Sequence, residues 1–102
     1  MTGVIRHIVL FTLNPAVTGQ DPRVRQAVIA EHELTAVAPS WRFGANPTGR
    51  RDAADFAATG DFVDAVELAA FLRHPAHQAA AHAWNDIAAC HVADVELDAG
   101  SA

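Results

Sequence analysis

The chain has 102 residues and a mass of 10.8 kDa, room for one domain with a real but marginal core and too little for two. Its 51% hydrophobic and 19% charged residues separate it from disordered chains, which carry fewer apolar and more charged positions. Twelve acidic against seven basic residues give a net charge of −5, and every basic residue is Arg, spread from Arg6 to Arg73 with only Arg50 and Arg51 adjacent, so the clustered positive charge of a nucleic-acid grip is missing.

Cys90, the single cysteine, allows no internal disulfide and fits a reducing compartment. Residues 1–6 lack a basic segment followed by a cleavable apolar run, and no apolar stretch reaches the roughly 18–20 residues of a membrane span. The expectation is a cytoplasmic protein with no membrane partner.

Residues 5–13, IRHIVLFTL, are rich in β-branched and aromatic side chains and end at Asn14-Pro15, where the ladder loses a donor and a turn is favoured, so they predict a first strand. Ile5, His7, Val9, Phe11 and Leu13 share one face; Ile8 and Leu10 point to the other. Both faces carry large apolar groups. The chain's own helices can cover one of them, and the other needs a different cover.

Asp21 and Pro22 suit the N-cap and first position of a helix running to about residue 38, where Pro39-Ser40 stops it. Ala27, Ala30, Leu34, Val37 and Ala38 make its apolar stripe, with Gln26 and Glu33 on the other side. Glu31 falls beside the stripe, as a partly buried carboxylate or as a residue at the edge of an interface.

Residues 41–45 predict a short strand with Trp41 and Phe43 on one face, and residues 46–52 are turn chemistry. Residues 55–63 predict a third strand with Phe56, Ala58, Gly60 and Phe62 on one face, Gly60 marking a bulge or a close approach. Asp64 caps a helix over residues 65–72, and Pro75 opens another over 75–89, broken from the first at His74. Residues 91–97 predict a last strand with His91, Ala93, Val95 and Leu97 on one face and Val92, Asp94 and Glu96 on the other; residues 98–102 read as a frayed tail.

The order β-α-β-β-α-β is that of an α+β, ferredoxin-like single domain over residues 1–102, a four-stranded antiparallel sheet with both helices on one face. The bare face predicts a homodimer in which two sheets pack face to face.

Six histidines are many for so short a chain. His32 and His82 fall on the outer sides of their helices and His91 at an edge, which leaves them as surface residues. His77 instead shares a helical face with Ala80, Ala81, Trp84, Ile87 and Ala88, whose small members fill little volume and leave room for a cavity. If the face of His7 meets the helices, the two imidazoles converge in one apolar pocket. The functional reading is general acid/base work by His7 and His77, with Val9, Phe71, His74, Ala81 and Trp84 around a small-molecule ligand. The bland reading is that each ring is a core histidine tied to a backbone carbonyl, and that His74 serves only the helix entry. His74 and His77 stand three apart in HPAH, but no third ligand, HExxH or cysteine pair accompanies them, so no metal and no cofactor is assigned. Cys90 has no CxxC partner and is not assigned as a nucleophile.

IRHIVLF at residues 5–11, FGAN at 43–46, the pairs Asp55-Phe56 and Asp61-Phe62, LAAFLRHPAH at 68–77 and VADVEL at 92–97 together resemble the Dabb family, stress-responsive dimeric α/β-barrel proteins, over nearly the whole chain. The resemblance implies a ferredoxin-like protomer and a barrel-like homodimer. In the family's plant cyclase that forms olivetolic acid, the first-strand histidine and the second HPxH histidine drive an aldol closure of a linear polyketide, and these match His7 and His77. The tyrosine that cyclase carries three residues before HPxH is Phe71 here, and the chain has no tyrosine. Three functions follow as expectations. The first is a cofactor-independent, cyclase- or lyase-like protein in which His77 moves a proton of a polyketide-like or aromatic molecule while His7 orients it or the ligand oxygen. The others are a non-catalytic, stress-associated homodimer and a cofactor-free monooxygenase.

Overall fold

In the computed structural model, which describes residues 3–98, the elements are β1 (Ile5–Leu13), α1 (Pro22–Glu33) continued by a 3-10 turn (Leu34–Ala36), β2 (Arg42–Ala45), β3 (Phe56–Phe62), α2 (Ala65–Arg73), α3 (Pro75–Trp84) and β4 (Ala88–Glu96). All neighbouring strands are antiparallel in the order β2-β3-β1-β4, the ferredoxin-like arrangement. Apart from Asp98, the tail over 98–102 lies outside the described residues.

The helix starts follow from their caps. Asp21 accepts from the Arg23 N–H with Pro22 behind it, Asp64 accepts from the Glu67 N–H, and His74, extended as a residue before proline should be, accepts from the Ala76 N–H. The first helix loses its α geometry about five residues earlier than its stripe suggests, yet Leu34 and Ala38 stay buried. β2 begins at Arg42 and β3 spans Phe56–Phe62, each shorter than the sequence pattern.

The larger difference is at the end of α3. The alanine-rich run suggests helix to residue 89, but α3 stops at Trp84, and the Ile87 N–H turns back to the Trp84 carbonyl. Ala88 and Ala89 instead open β4 opposite Leu13 and Thr12. Asn85-Asp86 favours the turn, and a full nine-residue pairing with β1 outweighs the helix propensity of two alanines.

His7, Val9 and Phe11 of β1 are buried under the helices, whereas Leu10 on the opposite face is exposed. Trp41, Trp84, Leu34 and Ile87 are the largest fully buried side chains. Gly60 resolves as a close approach: a Cβ there would stand 2.6 Å from the Trp41 ring. The bare face is less uniformly apolar than β1 suggests. Register sets Ile8 and Leu10 against Ala57, Thr59, His91 and Ala93, and beside them Arg6 makes a bidentate pair with Asp61 at 2.8 and 3.0 Å.

Candidate functional site: a cavity between β1, β4 and the helices

The odd face of β1 supplies His7, Val9 and Phe11 to a cavity of about 290 Å³. Its roof comes from Glu31 of α1, Trp41, Leu72, and His77, Ala81, Trp84 and Asn85 at α3; Cys90, Val92 and Asp94 of β4 complete it. Antiparallel register explains the β4 members, because Val9 pairs with Val92, Phe11 with Cys90 and His7 with Asp94, so each lies on the face of its partner.

His7 is 3% exposed, and its ring stacks near Trp41 with centroids 6.0 Å apart. Its Nδ1 lies 2.6 Å from Asp94 Oδ1. A carboxylate only accepts, so Nδ1 carries the proton and Nε2 stays uncommitted. His77 reaches the same state differently. Its Nδ1 donates to the Leu72 carbonyl at 3.2 Å, which again leaves Nε2 uncommitted. Burial pushes the His77 imidazole below its ordinary pKa, against the bond to Leu72, and the neighbouring His7 pushes it lower still. His77 is therefore a neutral ring with a free lone pair at pH 7.

Glu31 is a buried acid on the helical roof, 3% exposed. Burial raises its carboxyl to about 7, against a lowering pull from the Trp84 and Trp41 indoles. Trp84 Nε1 donates to Glu31 Oε2 at 3.2 Å. Cys90, also at the cavity, has its thiol pushed up by burial and by Glu31, which keeps it protonated.

Of the residues expected around the ligand, Val9, Ala81 and Trp84 line the cavity beside His7 and His77. Phe71 and His74 do not. Phe71 is buried behind the site with its ring 4.9 Å from His77 and 5.0 Å from Trp41, so it backs the imidazole without facing the void. His74 is spent on capping α3 through Nδ1 at 3.0 Å, and with Phe71 it lines a second depression of about 270 Å³ beside Asp61, Phe62 and Glu67. Asp94 and Trp41 join the cavity wall beyond the residues expected there. The face of Asp94 was readable from alternation along β4, but its partner required the register. Among the described residues no group of three or more His, Cys, Asp or Glu is placed to hold a metal ion, and no helix is long and apolar enough to cross a membrane.

An uncharacterized protein of Streptomyces coelicolor is 40% identical over 97 residues, covering 92% of this chain and all of its own length. A crystal structure of a dimeric ferredoxin-like protein of unknown function from Thermobifida fusca is 30% identical, with a TM-score of 0.79 over 95% of this chain and 93% of that one. The hydroxynitrile lyase from Passiflora edulis superimposes with a TM-score of 0.76 over 97% of each chain at 17% identity, a likeness of fold alone. The family described as Stress responsive A/B Barrel Domain, Dabb, matches residues 5–97, and with the sheet order and helix placement above, the chain belongs to that family.

Proposed function

We propose that the cavity binds a small apolar molecule with a carbonyl oxygen and performs acid/base chemistry on it. The observation that carries this reading is the shared state of the two histidines: both Nδ1 atoms are engaged by the protein, and both Nε2 atoms are left for a ligand in one apolar cavity. His77 Nε2 takes a proton from the carbon beside the carbonyl, and the C–H electron pair moves into the enolate. His7, held at Nδ1 by Asp94, orients the ligand oxygen on which the enolate charge develops. Asp94 holds the ring orientation throughout. Return of the proton to carbon, or attack of the enolate carbon on a second carbonyl, completes an exchange or a ring closure.

The test is hydrogen–deuterium exchange at the methyl ketone of 4-methylacetophenone in D2O, followed by proton NMR. The wild-type protein accelerates exchange over buffer, and His77→Ala and His7→Ala each lose that acceleration. Equal rates for wild type and both variants contradict the reading and favour histidines that serve structure.

The working unit is a homodimer that covers the bare sheet face, where Leu10 and Val95 are each 42% exposed. The dimeric state of the Thermobifida fusca relative supports this. Sedimentation equilibrium at micromolar concentration reads it directly, and a single 10.8 kDa species contradicts it. The lone thiol, Cys90, fits a cytoplasmic setting.

A further inference from the structure

Glu31 takes no part in the histidine chemistry, yet this acid of α1 is buried against two indoles from distant parts of the chain. Trp84, the last residue of α3, donates its Nε1–H to Glu31 Oε2 at 3.2 Å. Trp41, from the segment before β2, acts on the same carboxyl through its own N–H and pulls the acid's pKa down as Trp84 does. A buried acid is a poor source of stability, but its bonds are directional and fix the rings that make them.

The two rings stand over different parts of the β1 floor. Trp41 stacks on His7 with centroids 6.0 Å apart and planes 26° from parallel, whereas Trp84 lies against Phe11 at 4.5 Å. Trp41 also packs on Phe71 at 5.0 Å, and Phe71 touches the His77 ring at 4.9 Å, so the same tether bears on both imidazoles. Both indoles line the cavity. Aromatic walls held in place favour a ligand with a flat π face that can stack or meet them edge to face. A saturated ring of the same outline is puckered, thicker and without that face.

We propose that Glu31 is a positioning residue that holds Trp41 and Trp84 as two fixed walls, and that the cavity therefore selects aryl ketones over saturated ketones of the same outline. Glu31 does this through the indoles, without touching the ligand. The inference rests on the ligand cavity described under the proposed function and deepens it by naming the class of molecule that carries the carbonyl.

Calorimetric titration with 4-methylacetophenone and its saturated counterpart, in which a cyclohexane ring replaces the arene, tests the selection. The wild-type protein binds the aryl ketone about tenfold more tightly, although the saturated compound is the more apolar of the two. Glu31→Leu loses most of that preference, and Glu31→Gln keeps it, because the amide oxygen still accepts from an indole. Proton–nitrogen NMR of the indole Nε1–H groups tests the tether without any ligand. As pH passes through 7, both indole signals of the wild-type protein move on one curve, and Glu31→Gln removes that step. Indoles that stay fixed or titrate independently overturn the tether, even if Glu31→Leu fails to fold. Equal wild-type binding of the two ketones, or full aryl preference in a folded Glu31→Leu, overturns the inference and leaves the ligand cavity standing. Failure of both ketones to bind overturns the selection and the ligand cavity together. Aryl preference without ketone exchange supports the inference and contradicts only the acid/base chemistry.

Discussion

His7 Nδ1 and Asp94 Oδ1 stand 2.6 Å apart, across strands separated by 87 positions in sequence. The bond joins a ring 3% exposed to a carboxylate whose side chain is 45% exposed, so the buried imidazole is held from the rim of its cavity. Because Asp94 occupies Nδ1, the ring presents Nε2 to any ligand.

Asp94→Ala removes this tether and is predicted to slow ketone exchange by about tenfold or more, since orientation of the imidazole is lost. Nitrogen-15 shifts of the His7 ring should change from one fixed tautomer to a mixture. The exposed edge position of Asp94 in β4 lets the fold survive. A variant with full exchange activity and an unchanged ring spectrum contradicts the role.

His77→Ala abolishes exchange while altering stability at pH 7 by no more than about 1 kcal/mol, because the ring is half-buried against a void. Its pKa is depressed in the folded state, so its contribution to stability is present above the ordinary value of 6.5 and is lost as pH falls. Urea unfolding from pH 7 to 5 should therefore show a shallower acid loss in the variant than in wild type. A steeper loss contradicts the assignment.

Glu31 works in the opposite sense. Its folded pKa is raised from 4.5 to about 7, so the folded protein holds a proton that the unfolded chain has released, and stability falls as pH rises across that window. The full effect is on the order of 3 kcal/mol. Glu31→Leu eliminates this slope, and it also leaves the buried Trp84 Nε1–H without its acceptor. Parallel stability profiles of the two proteins between pH 4.5 and 7 contradict the burial of an ionisable group.

Gly60→Ala sets a Cβ 2.6 Å from the Trp41 ring, so the indole must move. A loss of about 1–3 kcal/mol is expected in thermal or urea unfolding, with weaker binding of aromatic probes because Trp41 forms one wall of the cavity. Unchanged stability contradicts the tight packing of β3 against that ring.

What could be read from the sequence was local chemistry. Pro15 marked the end of β1, Asp21 and Asp64 marked helix caps, and alternation along β1 placed His7, Val9 and Phe11 on one face. The helical wheel turned His77 toward them. Ala88 and Ala89 misled, because their strand state comes from pairing with β1 rather than from propensity. Asp94 and Trp41 were out of reach for the same reason, each meeting the site only through a register or a loop path with no local signal. His74 and Phe71 were close in sequence to His77, yet the bend at Pro75 sends His74 to the cap and Phe71 behind the ring.

The central claim is that the two free imidazole nitrogens meet one ligand. Long-range nitrogen–proton NMR of the histidine rings during titration with 4-hydroxyacetophenone tests it most directly. The prediction is that Nε2 of His7 and Nε2 of His77 shift together with one saturation curve, while both Nδ1 signals, held by Asp94 and Leu72, move far less. Saturating ligand that leaves both Nε2 signals in place, or that shifts only the exposed His32, His82 or His91, contradicts the account.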